Sequence, residues 1–111
     1  MTTETTLSYP ALIATDNYGP VGITKTIASG AALAAGTILG RVTATGKLLP
    51  YVAGHVDGTQ NPMAVLLEDA AAATADVAAV CGFAGVYVEA NMTGLDAAGK
   101  LALEARGIYF T

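Results

Sequence analysis

A chain of 111 residues has room for one domain, which excludes a large multidomain enzyme. Its 27 Leu, Ile, Val and Phe residues against only 13% charged residues exclude a mostly disordered chain, while 23 Ala and seven aromatic residues without a Trp leave little burial per apolar position and favour an oligomer. The net charge of -4, with the five cations Lys25, Arg41, Lys47, Lys100 and Arg106 dispersed along the chain, predicts no direct nucleic-acid binding.

In chain order, residues 1–24 carry Thr-rich, Pro-containing sequence with neither helical nor strict alternating period, and they are expected to form an extended arm. Leu7, Tyr9, Leu12, Ile13 and Tyr18 give that arm apolar anchors with no evident partner in its own sequence, which points to an external one. The start lacks the basic and apolar regions of a signal peptide, and the longest uncharged interior stretch, residues 26–40, falls short of the roughly 20 residues that cross a bilayer. Synthesis in the cytoplasm and no membrane partner are therefore expected.

Residues 25–111 are expected to form a small β-rich single domain with one short C-terminal helix. Residues 35–43 and 48–52 flank the turn Ala44-Thr45-Gly46-Lys47 as a hairpin, and Pro50, unable to donate, places its strand at an edge or limits its pairing. Residues 57–62 form a dense turn cluster expected to project into solvent and tolerate insertion, and residues 63–67 form a strand ending at Glu68 and Asp69. Residues 70–73 are too few for a helix and are read as a tight connection. Residues 77–88 form a long strand in which Gly82 and Gly85 predict a bulge or bend where another backbone comes close. Leu95, Ala98, Leu101, Ala102 and Ala105 recur at helical spacing, giving a helix over 95–106 with Gly107 after it and a terminal strand over 108–111.

Catalytic patterns are absent. The segment from Gly40 to Leu48 has five residues between its glycines and Leu after the Lys, so it fails as a phosphate loop. His55 is the only histidine and Cys81 the only cysteine, too few and too far apart for a metal site. Ser8 and Ser29 lie in no activating elbow, and Glu68 and Asp69, adjacent on a strand end, would point apart. Cys81 is expected to be a buried, unreactive thiol and His55 a solvated loop residue.

Three segments, Leu39-Gly40-Arg41-Val42-Thr43-Ala44-Thr45-Gly46-Lys47, Asp57-Gly58-Thr59-Gln60-Asn61-Pro62-Met63-Ala64-Val65-Leu66-Leu67-Glu68-Asp69 and Val80-Cys81-Gly82-Phe83-Ala84-Gly85, together resemble the lambda-type head decoration proteins of tailed phages. The resemblance covers roughly residues 30–95 and rests on the order of structural punctuation, with Met63-Ala64 standing where a Gly-containing variant is expected. It implies a non-enzymatic homotrimer, without cofactor or metal, on the outer surface of the virion's capsid head. There it stabilises the expanded shell against packaged DNA, with the major capsid protein as partner. On this reading residues 1–24 are a capsid-binding arm whose contacts are Thr5, Leu7, Tyr9, Pro10, Leu12, Ile13 and Tyr18. The alternative is a small oligomeric β-rich ligand-binding module, which the few aromatics and lack of convergent polar groups support poorly.

Overall fold

The computed structural model describes Ile13–Thr15 and residues 21–111. Strand β2 follows β1 (Ile13–Thr15) and spans Val21–Ile27, where Val21, Ile23 and Ile27 alternate with polar residues and favour an extended backbone. The ribbon strand β3 (Ala31–Leu33) precedes β4 (Ile38–Arg41) and β5 (Leu48–Pro50). Next come β6 (Pro62–Leu66), β7 (Ala70–Ala72) and β8 (Val77–Tyr87). A single turn of 3-10 helix at Glu89–Asn91, helix α1 (Ala97–Glu104) and β9 (Ile108–Phe110) complete the chain.

Five of these strands close on themselves. β8 pairs β2 on one side and β6 on the other, β6 pairs β4, β4 pairs β5, and β5 returns to β2 through the parallel pair Ile27↔Leu48. The closed ring leaves no edge exposed within it. All five strands contribute to one buried cluster, Ile27, Leu39, Leu48, Ala64, Leu66, Ala79 and Cys81, which fills the ring. A five-stranded ring is narrow, so large residues must oppose small ones: Leu39 is registered with Ala64 and Leu66 with Cys81. Small residues such as Ala64 and Ala79 are thus a steric requirement of the barrel.

Pro50 is accommodated because β5 meets β2 only at Leu48, so its pairing runs partway, as expected. Residues 70–73 differ from their reading as a connection: Ala70–Ala72 pair antiparallel with Ala31–Leu33, and Ala70 and Ala72 pack with Leu33 against the barrel cluster. The partner strand lies some forty residues away, beyond the reach of a local pattern.

A second core lies outside the ring, where Leu103 of α1 and Ile108 of β9 cover Ile38, Val65, Leu67 and Tyr87. The helix is shorter than its apolar spacing predicts. Asp96 caps it by accepting from the Gly99 amide at 2.6 Å, and the same Asp96 Oδ1 accepts from the Tyr51 hydroxyl at 2.8 Å. At the other end the Gly107 amide donates to Glu104, and Gly107 takes φ +90°, which turns the chain into β9. None of the described helices is long and apolar enough to cross a membrane.

β8 serves both layers. Its register with β2 skips between Gly22↔Gly82 and Val21↔Ala84, leaving Phe83 as a bulge residue, and Gly85 has φ +130°. The bend expected at Gly82 and Gly85 is therefore present. The close approach at Gly82 is made by the Tyr87 phenol rather than by another backbone: that buried hydroxyl donates to the Ala84 carbonyl at 2.7 Å. Beyond the bend, β8 carries β1 antiparallel on one flank and β9 parallel on the other.

Candidate functional site

Of the residues expected to grip a partner, Ile13 alone falls among those described; Thr5, Leu7, Tyr9, Pro10, Leu12 and Tyr18 lie outside them. Ile13 stands opposite Tyr87 in the β1–β8 ladder. The segment expected to lack a partner in its own chain thus has one, because the part of β8 beyond the bend offers main-chain groups that β2 no longer occupies. β2 itself begins at Val21, within the stretch assigned to the arm.

At the start of β2, Val21 and Ile23 are 44% and 42% exposed on one face of the strand. On that face Lys25 Nζ sits 6.0 Å from the centre of the half-buried Phe83 ring. Val21 and Ile23 lie on the face of β2 that carries the buried Ile27 further along, but near the start of the strand they are left uncovered, and together they make an exposed apolar strip suited to contact with another chain. Its signal was present in the sequence: Val21, Ile23, Lys25 and Ile27 recur at the strand period of two.

The turn at residues 57–62 is not the projecting loop its composition suggests. Gly58, Thr59 and Pro62 are buried, and the Thr43 amide donates to the Asp57 carbonyl at 2.8 Å. Asp57 Oδ1 accepts from both the amide and the hydroxyl of Thr59, at 3.0 and 2.6 Å, and these bonds hold its carboxyl below the usual carboxylate range. Thr59 Oγ1 donates to Asp57 and lies 2.9 Å from His55 Nδ1, so it can accept from that nitrogen when it carries a hydrogen. His55 is exposed, as expected, and orders a loop that leaves Val56 93% exposed at its tip.

No acid–base or nucleophilic constellation forms among the described residues. Cys81 is fully buried inside the ring; desolvation, with the nearby Glu68 charge, pushes its thiol up to about 11, so a thiolate is disfavoured. Glu68 and Asp69 accept from the backbone amides of Val80 and Ala35, both at 2.9 Å, and so pin separate segments. Lys47, in the Gly-rich turn, is paired with Asp76 rather than poised for phosphate. No group of three His, Cys, Asp or Glu residues able to hold a metal ion occurs among the described residues.

The geometry thus offers a rooted segment, an apolar strip and rigid loops. Compared with known families, residues 18–108 match the family described as bacteriophage lambda head decoration protein D. No curated protein matches the chain.

Proposed function

Because the chain belongs to the bacteriophage lambda head decoration protein D family, we propose that it is a structural virion protein that binds the outer face of an expanded phage head as a homotrimer and holds the shell against packaged DNA. The observation that carries this reading is the extent of the match, which takes in the whole barrel, the β3–β7 ribbon and α1. The role asks for no bond-making chemistry, only for a rigid body and adhesive surfaces. The major capsid protein is the partner, and assembly onto it follows synthesis in the host cytoplasm.

On this proposal residues 1–24 supply the grip and residues 25–111 the body. Thr5, Leu7, Tyr9, Pro10, Leu12, Ile13 and Tyr18 contact the shell, and the β1–β8 pairing gives the arm a fixed root. A rooted arm loses less freedom on docking than a free tail. Three such arms on one trimer act by effective concentration, so individually weak contacts hold together.

Sedimentation at micromolar concentration is expected to give a trimer, and the protein is expected to co-sediment with expanded heads and raise their disruption temperature. Deleting residues 2–12, which leaves β1 intact, is expected to preserve the trimer and its melting temperature while sharply weakening head binding. A monomer, or full-length protein that leaves heads unbound, overturns the proposal; a truncated protein that binds as tightly as the full chain moves the grip to the barrel.

A further inference from the structure

Five cations serve this acidic chain, and three of them have partners inside the molecule. Lys47 is paired with Asp76, Lys100 Nζ lies 2.7 Å from Glu89 Oε1, and Lys25 sits over Phe83. Arg41 and Arg106 have no ion-pair partner among the described residues. They are distant in sequence, yet the fold brings both to one groove of about 280 Å³, whose wall includes Thr43, Gly58, Asn61 and Met63. The groove's lining holds two arginines and no acidic residue, so it favours an anion, which would relieve repulsion between the two like charges.

The backbone beneath both arginines is fixed. Arg41 ends β4 in register with Leu48, and Gly58, at φ +112°, packs so closely on the Arg41 carbonyl that no Cβ fits between them. The Asn61 amide donates to the Gly58 carbonyl at 3.1 Å and that of Arg106 to Leu103 at 2.9 Å, just before the Gly107 turn. A rigid frame lowers the ordering cost of binding. Guanidinium forks match a carboxylate in two-pronged fashion, the Thr43 hydroxyl and the side-chain amide of Asn61 add neutral donors, and half-buried Met63 offers an apolar wall for the stem of an acidic side chain. A nucleic-acid backbone would need a longer track of cations than two arginines provide.

We propose that the Arg41–Arg106 groove is a second docking point, which receives a Glu- or Asp-bearing segment of the adjoining shell protein. This rests on the shell-binding reading above.

Titration of the full-length protein with a synthetic acidic hexapeptide of alternating Asp and Glu, followed by ¹H–¹⁵N NMR, tests the groove by itself. Saturable shifts are expected at Thr43, Gly58 and Asn61. Affinity is expected to fall at least tenfold in R41Q/R106Q, whose spectrum away from the groove stays unchanged, and a Lys hexapeptide is expected to give no shifts. Absent shifts, shifts that persist in the double variant, or tighter binding of an oligothymidylate at these residues overturns the carboxylate site. In head co-sedimentation the double variant is expected to bind less tightly than the parent. If the parent binds and the variant binds equally, the groove fails as a shell contact while the shell-binding reading stands. If the parent itself does not bind, that reading fails and the peptide titration still decides the groove.

Discussion

Replacing Gly82 with Ala places a methyl group where the Tyr87 phenol oxygen sits. The added carbon overlaps that oxygen, comes within 3.0 Å of Tyr87 Cζ and lies 3.3 Å from Leu67 Cδ2, at a site where Gly82, Tyr87 and Leu67 are all buried. The ring must move, and moving it breaks the hydroxyl's bond to the Ala84 carbonyl. Overpacking costs about 1–3 kcal/mol and a stranded buried hydroxyl about 1–3 kcal/mol, offset by up to about 1 kcal/mol from the lower chain entropy of Ala. Taking the middle of each range, the net loss expected for Gly82→Ala is about 3–4 kcal/mol. Tyr87→Phe alone removes the hydroxyl and is expected to cost about 1–2 kcal/mol. In the double variant the methyl takes the vacated place and meets only the ring carbon and Leu67, so the further cost of Gly82→Ala is expected to drop to about 1 kcal/mol. Urea unfolding of the four proteins followed by circular dichroism, at one protein concentration because subunit association also contributes, measures this coupling. Additivity within about 0.5 kcal/mol would refute the assignment of the close contact to the phenol.

Gly58→Ala is expected to lose about 3 kcal/mol or more, since φ +112° is strained for Ala and the methyl would meet the Arg41 carbonyl, which cannot swing aside; a melting temperature within a few degrees of the parent would show that the 57–62 turn is free to move. Asp96→Ala removes both the helix cap and the acceptor for Tyr51 and is expected to cost about 1–3 kcal/mol in urea unfolding, with Asp96→Asn recovering most of it because an amide oxygen still accepts both bonds. Cys81 at pH 8 is expected to react with a disulfide reagent at least about 100-fold more slowly in the native protein than in denaturant, because a thiol near 11 holds about one hundredth of the thiolate of one near 9 before burial is counted. Folding raises that pKa, so the native state holds the proton more tightly: the thiol's contribution to stability is intact below about pH 9 and lost as pH rises toward 11, and Cys81→Ala is expected to flatten that part of the alkaline unfolding profile.

Strands with local patterns were legible from the sequence. The hairpin about Gly46, the β8 bend and the terminal strand follow from turn residues and period, because each depends on neighbours in the chain. The ribbon of Ala31–Leu33 with Ala70–Ala72 was not, since alanines carry no strand preference and the pairing is long-range. The 57–62 turn misled for a related reason: Gly, Asn and Pro mark a turn but not its burial, which here follows from the fit of Gly58 against Arg41 and Thr43. The arginine groove was invisible, because Arg41 and Arg106 meet only after the barrel and α1 are assembled.

The flanking of β8 has a steric consequence. β1 begins at Ile13, opposite Tyr87, and β9 ends at Phe110, opposite the same Tyr87 on the other flank. Two strand spacings separate them, roughly 10 Å. The chain therefore enters and leaves the sheet as close neighbours, and a short linker could permute the molecule circularly with its barrel unchanged. By the same geometry, a bulky domain fused after Thr111 would sit close to the start of β1, so cargo there would compete with any partner of Ile13 for the same corner.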